Sequence, residues 1–358
     1  MARLFQQNKP ADDVFSSYGR PGKQSTLVGD VLVAAVVVEN LCMTYRAPVR
    51  DSGWKATLGS VFNRQYRDVP AVQHVSFALR PGEVVGFIGP NGAGKTTTMK
   101  ILSGLLNATS GKVRVLGHSP WQRRADFLRR IAFIRGSQPV GGSQELTVLD
   151  TLRYQRLLYE VPPTEFQQNL DELTTLLDLG ALLPRQLRAL SLGEKMRAGL
   201  ALSLVYRPEV MFLDEPTLGL DVTGATTMRR FVAQYAERTG ATVLLTSHYM
   251  ADVATLCPRL VLIDKGRIQY DGKLDELAAK LSPYKLVRLT APGADERRLR
   301  EAGELVESSD GTWVLRVPRA DVARTTARLL TELDVADLSV EEAPLEAVID
   351  QAYREGVG

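Results

Sequence analysis

Gly89-Pro90-Asn91-Gly92-Ala93-Gly94-Lys95-Thr96 decides the fold. It follows the apolar run Val84-Val85-Gly86-Phe87-Ile88 and leads into Thr97-Thr98-Met99-Lys100-Ile101-Leu102, which reads as a helix. Strand, glycine-rich turn and helix, in that order, form the context in which G-x-x-x-x-G-K-[ST] holds nucleotide phosphates. The glycines let backbone N–H groups turn inward without Cβ clashes. The new helix offers its unpaired donors and positive dipole end to the same anion. Lys95 is placed to reach the β- and γ-phosphates, and Thr96 to ligate Mg²⁺.

Composition bounds the rest. The chain has 358 residues, enough for a large domain and a smaller one. With 44% hydrophobic and 24% charged residues it has ordinary globular usage. A formal charge of +3, without a long Lys/Arg block, does not argue for nucleic acid. Cys42 and Cys257 sit in different segments and suggest neither a disulfide framework nor a metal site. Reduced core thiols in the cytoplasm are expected. The longest apolar run, Val31–Val38, is strand-length, far short of the roughly 20 residues of a membrane helix. The N-terminus lacks the apolar centre of a signal peptide.

Outward from the loop, residues 1–30 read as a flexible extension. A first strand is expected from Val31 to about Asn40 and another from Ala71 to Ala78. Between them, residues 46–68 carry Arg46, Arg50, Lys55, Arg64 and Arg67 around Trp54, Leu58, Val61 and Phe62, spaced as one face of a short helix. This basic excursion could lie against lipid headgroups or a membrane partner, or pack on its own domain. Residues 146–188 change to helical spacing. Strands then alternate with helices through Val210–Leu213 and Thr242–Leu245, implying a mostly parallel sheet covered on both faces. Leu260–Ile263 and Arg267–Asp271 look like a hairpin. After Pro283 the order is β-α-β-β-α-β, a ferredoxin-like arrangement, closed by a helix with Leu345, Val348, Ile349 and Ala352 on one face. The expected boundaries are 31–282 for the larger domain, with a helical subdomain at about 139–205, and 283–358 for the smaller one.

Val210-Met-Phe-Leu213 ends in paired carboxylates, Asp214 and Glu215. Asp214 can hold Mg²⁺ through water, and Glu215 can take a proton from an attacking water. His248 follows another apolar run, Val243-Leu-Leu-Thr-Ser247, and an imidazole there could stabilise charge building on a γ-phosphate. Leu190-Ser191-Leu192-Gly193-Glu194 opens a helix. Ser191 and Gly193 could offer donors to an anion, or Ser191 and Glu194 could form a capping box; both can hold at once.

These motifs together resemble the ATP-binding subunits of ABC transporters over roughly residues 35–275. Gly89–Thr96 matches that family's phosphate loop, Val210–Glu215 its acidic strand with catalytic glutamate, and Leu190–Glu194 its LSGGQ signature. Asp221, in Gly219-Leu220-Asp221, sits at its D-loop, and His248 at its switch histidine. Gln138 falls at its Q-loop glutamine, which senses Mg²⁺ and touches the membrane subunit. Tyr45 looks like the aromatic that stacks on adenine, with Tyr66 as the other spacing the family uses. Leu192 and Glu194 depart from the signature's glycine and glutamine.

The resemblance implies a P-loop NTPase of ABC type: a mostly parallel sheet with an antiparallel part and an inserted helical subdomain, followed by a small α+β domain. ATP and Mg²⁺ are the implied cofactors. Glu215, His248, Lys95 and Gln138 would be catalytic. Tyr45, Gly89 to Thr97 and Asp214 would hold nucleotide, and Thr96, Gln138 and Asp214 the metal. Ser191, Leu192, Gly193 and Glu194 would act in trans across a head-to-tail dimer with an identical or paralogous subunit. Transmembrane permease subunits on separate chains are the expected partners, at the cytoplasmic face of the membrane. LSLG-type signatures, the excursion and a C-terminal domain together resemble the daunorubicin- and viologen-exporter type. A soluble ABC ATPase of translation or DNA maintenance is the other class. One cassette, with no room for a coiled coil between Lys95 and Ser191, argues against it. A regulatory switch role stays open, as does the cargo.

Overall fold

The computed structural model describes residues 34–48, 66–136 and 143–355. The expected N-terminal extension, the helix around Trp54, Leu58, Val61 and Phe62, and Gln138 lie outside them.

Strands β1 (Val36–Pro48) and β2 (Tyr66–Leu79) are antiparallel, and β4 (Ser110–Val115) joins β1 to complete a three-stranded sheet. β1 does not stop at Asn40. That residue takes φ 50° at a register shift, its N–H is held by Ser76 Oγ at 2.8 Å, and pairing resumes beyond it. Both strands therefore run into the basic excursion, where Arg46 pairs with Asp68 in the ladder.

The second sheet is built around β3 (Val84–Ile88), which feeds the glycine-rich loop and helix α1 (Lys95–Leu102). Helix α2 (Ala125–Leu128) precedes β5 (Ile131–Arg135). Helices α3 (Val148–Leu158), α4 (Pro163–Leu177) and α5 (Leu192–Leu204) lead to β6 (Val210–Asp214). Then come α6 (Val222–Thr239), β7 (Thr242–Thr246), α7 (Met250–Leu256), β8 (Arg259–Asp264), β9 (Arg267–Lys273) and α8 (Leu274–Leu281). The strand order is β5-β6-β7-β3-β8-β9, parallel except for the β8–β9 hairpin.

Period-two alternation divides this sheet between two cores. Met211 and Leu213 of β6, Val243 and Leu245 of β7, and Leu260 and Leu262 of β8 face helices α3 to α8. Val210, Phe212, Leu244, Val261 and Ile263 face the other way, onto Met99, Ile101 and Leu102 of α1 and the three-stranded sheet. Burial on both faces explains why β6 and β7 are unbroken apolar runs rather than alternating ones.

The third sheet holds β10 (Tyr284–Thr290), β11 (Glu304–Ser309), β12 (Thr312–Pro318) and β13 (Asp337–Glu342) in the order β11-β12-β10-β13. Helices α9 (Glu296–Ala302) and α10 (Val322–Glu332) cover one face through Leu299 and Leu329. This is the antiparallel ferredoxin-like sheet that the sequence predicts. Helix α11 (Leu345–Glu355) then leaves it, and Val348, Ile349 and Ala352 join the core of the larger unit beside α7 and α8.

Candidate functional site

The phosphate loop is clamped from two sides. Gly94 has φ 105°, and a Cβ there would stand 2.5 Å from the Ala71 carbonyl oxygen on β2, so only glycine fits. The turn between β8 and β9 closes the other side, where Gly266 N–H donates to Ala93 O at 3.0 Å. Lys95 is buried and donates from Nζ to the carbonyl oxygens of Gly89 (2.6 Å) and Pro90 (3.1 Å). Burial lowers the pKa of its ammonium, opposed by the negative fields of Glu215 and Asp214.

Because β6 lies two strands from β3, its carboxyl end opens beside the loop, as expected for ligand sites on open α/β sheets. Thr96 Oγ1 donates to the Asp214 carboxylate, 3.1 Å from each oxygen. A hard cation takes oxygen ligands, and adjacent sites of an octahedral Mg²⁺ stand about 2.9 Å apart. The hydroxyl and carboxylate therefore fit Mg²⁺. No cluster of three or more His, Cys, Asp or Glu side chains suited to a metal occurs among the described residues. The remaining ligands would have to come from nucleotide, water or Gln138.

Glu215 follows Asp214 in the left-handed region (φ 54°), which turns its side chain out of the sheet. Its N–H donates to Thr246 O and Oγ1, both at 3.1 Å, at the end of β7. Its Oε1 stands 2.8 Å from His248 Nε2, with the imidazole 39% exposed and the carboxylate 23%. Tyr45 Oη lies 3.3 Å from Thr97 Oγ1, beside the first turn of α1. Tyr66 pairs with Pro48, three ladder positions further out than Tyr45 with Val69, or about 10 Å along the strand. The structure thus gathers Tyr45, Lys95, Thr96, Thr97, Asp214, Glu215 and His248 around the phosphate loop and the carboxyl ends of β6 and β7.

The signature residues lie elsewhere. Ser191 caps α5, accepting from Glu194 N–H at 3.3 Å, while Glu194 Oε2 accepts from Ser191 N–H at 2.8 Å, the capping box open to the sequence reading. Arg185 Nη1 donates to Glu194 Oε1 at 2.5 Å. The Ser191 amide and the Arg185 guanidinium hold this carboxyl below its ordinary range. Leu192 is half-exposed, and Gly193 is partly buried, with nothing within 4 Å of a Cβ built there. Asp221 caps α6 through a 2.7 Å bond from Gly224 N–H. None of these residues bonds to the loop site of its own chain in the contacts above.

Sequence reading missed Thr246 and Arg135. Thr246 donates to Asp214 Oδ1 at 3.0 Å, and Arg135 Nε lies 3.7 Å from Asp214 Oδ2. Each ends an apolar strand next to β6, the one signal that could have found them. Cys257 is buried, its thiol pushed up to about 12, so it carries no thiolate chemistry.

A phosphate loop, an acidic strand end and a Glu–His pair on a two-faced parallel sheet define a nucleoside triphosphatase. The ABC transporter profile matches residues 72–218, and a profile for the EvrA-like ABC transporter C-terminal domain matches 283–341. The ABC transporter ATP-binding protein NatA of Bacillus subtilis is 32% identical over 219 residues, which cover 60% of this chain and 88% of NatA. The daunorubicin resistance ATP-binding protein DrrA3 of Streptomyces coeruleorubidus is 32% identical over 274 residues, covering 76% of this chain and 81% of DrrA3. A solved dimeric ATP-binding cassette, in a post-hydrolysis state bound to ADP and phosphate, shares the fold. It has a TM-score of 0.53 at 22% identity and covers 66% of this chain and 98% of the other. The chain belongs to the ATP-binding, ATP-hydrolysing proteins of exporter-type ABC transporters.

Proposed function

We propose that two ATP-binding subunits close head to tail over two nucleotides and drive a separate membrane permease that exports an amphiphilic cargo. The observation carrying this reading is the split of the site. Lys95, Thr96, Asp214, Glu215 and His248 converge at the carboxyl ends of β3, β6 and β7, whereas the hydrogen bonds of Ser191 stay within its own capping box and a Cβ built at Gly193 meets nothing within 4 Å. One copy leaves the γ-phosphate uncovered, and a second copy's signature would cover it.

In this mechanism Lys95 exchanges its two loop carbonyls for β- and γ-phosphate oxygens. Thr96, Asp214 and Gln138 would hold Mg²⁺, which when bound neutralises charge on those oxygens. Glu215 accepts the proton of the attacking water, and His248 donates to the γ-phosphate as charge builds there. Ser191 and Gly193 supply donors in trans, and Tyr45 stacks on the adenine. The ATPase unit is read as residues 31–282 and the accessory unit as 283–358, with α11 of the latter packed back into the core of the former.

Among the described residues no helix is long and apolar enough to cross a membrane, so transport needs a partner. Exposed Leu146, Tyr154, Leu157 and Leu158, on and before α3, offer that partner apolar side chains. The cytoplasmic membrane surface is the corresponding location. The relative named for daunorubicin resistance makes a drug-like cargo the first to test. The deciding experiment co-expresses the chain with its candidate permease. Glu215→Gln should bind ATP, accumulate dimers and lose most turnover. Wild-type turnover in that variant removes Glu215 from the base role, and a strictly monomeric enzyme at full speed removes the dimer.

A further inference from the structure

Asp252, on α7, is completely buried and carries no role in the mechanism above. Its carboxylate gathers three side chains from separate parts of the chain. Thr217 Oγ1 donates to Oδ2 at 2.5 Å, Ser247 Oγ donates to the same oxygen at 2.6 Å, and Arg229 Nη1 donates to Oδ1 at 2.8 Å. Thr217 lies two residues after Glu215, Ser247 directly precedes His248, and Arg229 belongs to α6, the helix capped by Asp221. Ser247 Oγ also accepts from Tyr249 N–H at 3.0 Å, so His248 is bracketed on both sides.

Each catalytic side chain sits on a turn that its own strand cannot fix. Glu215 is at φ 54°, a sparsely populated conformation that persists only where surrounding contacts over-determine it. Thr246 holds its N–H on one side. On the other side the turn runs through Leu218, whose N–H returns to Glu215 O at 3.1 Å, and through Thr217, tied to Asp252. Short bonds to an ionised carboxylate are the stronger kind and restrict angle as well as distance. A buried ion pair contributes little net stability against an apolar filling of equal volume. Its value here is geometric: one carboxylate oxygen is shared by the turn of Glu215 and the turn of His248.

We propose that Asp252 is a positioning residue for ATP hydrolysis, setting Glu215 and His248 at their working separation without touching nucleotide. This inference rests on the catalytic reading of those two residues.

The test uses the purified full-length chain with Thr217→Val, Ser247→Ala, the double variant and Asp252→Asn. Thr217→Val deletes one hydrogen bond and Ser247→Ala two, the bond to Asp252 and the one from Tyr249 N–H. Both leave the Asp252–Arg229 pair intact, so they decide the matter even if Asp252→Asn fails to fold. Steady-state turnover is read against equilibrium binding of a fluorescent ATP analogue and against thermal melting. We expect kcat to fall about 10- to 100-fold, the scale of a small misplacement of reacting groups, with nucleotide affinity within about twofold of the parent, since the phosphate loop is untouched. The double variant should lose less than the product of the single losses, because both bonds act through one oxygen. Unchanged kcat in both single variants overturns the proposal. So does a kcat loss that merely follows weaker binding or a lower melting temperature. Glu215→Gln in parallel separates the two readings: if it turns over normally, the catalytic assignment itself fails, whereas an inactive Glu215→Gln beside fully active Thr217→Val and Ser247→Ala sinks only the role of Asp252.

Discussion

His248 Nε2 stands 2.8 Å from Glu215 Oε1, joining the carboxyl ends of neighbouring strands β6 and β7. In the proposed mechanism this contact would set the proton acceptor, Glu215, beside the phosphate's donor, His248. His248→Ala should lower kcat about 10²–10³-fold, the usual loss for one transition-state donor. The Glu215→Gln/His248→Ala double variant should lose far less than the product of the single losses, since the pair acts as a unit. Steady-state ATPase rates of all three proteins check this, and multiplicative losses would show independent roles.

Lys95 is a buried cation whose protonated form burial disfavours. A depressed lysine pKa means that the charge costs stability at neutral pH, a cost relieved as pH rises through the folded value. Lys95→Met should therefore melt no lower than the parent without nucleotide at pH 7. It should lose the ATP-dependent rise in melting temperature that ligand linkage gives the parent. Differential scanning fluorimetry with and without ATP reads both effects.

The capping box at α5 is a pH-dependent element. The Ser191 amide and Arg185 favour ionised Glu194, so its folded pKa lies below the ordinary 4.5. Its stabilisation is present in full above that value and is lost as pH falls through the lower folded one. Glu194→Gln should melt below the parent at pH 7, and the gap should close towards pH 3. Ser191→Ala should cost about 0.5–2 kcal/mol for loss of the cap. Chemical denaturation across pH measures each.

Gly136 follows β5 and opens the segment leading to Gln138. Its N–H donates to Asp214 O at 3.0 Å, and a Cβ there would lie 1.9 Å from Glu215 O. Gly136→Ala must push the Glu215 turn aside. Turnover should drop at least about tenfold, as expected when a reacting group is displaced, while nucleotide binding persists. Equal losses in rate and affinity would place the damage in the loop instead.

Much of this was legible in sequence, and the exceptions have physical causes. The phosphate loop, the acidic strand and the Glu–His pair declare themselves because each is a contiguous stretch attached to an apolar run. The sequence pattern ends β1 at about Asn40, since Asn disfavours strands; in the structure Asn40 occupies a bulge and the ladder continues. Helices α7 and α8, of seven and eight residues, stand outside the sequence reading because no motif announces them, whereas α1, equally short, is marked by the phosphate loop before it. Thr217, Ser247 and Asp252 carry no spacing signal, since Thr217 and Asp252, though bonded, lie 35 residues apart in the chain. Gln138 and the helix around Trp54 remain expectations.

The return of α11 to the larger unit has a practical outcome. Val348, Ile349 and Ala352 are buried in the same core as Val253, Leu256, Leu277 and Leu281. Ile349→Ala should cost about 2–5 kcal/mol, as for other buried isoleucines, even though it lies beyond the ferredoxin-like sheet. Trimming the chain at residue 283 would not free a tidy ATPase. It would strip a sticky seam bare along the helix that bears Asp252, and the shortened protein should self-associate when made alone.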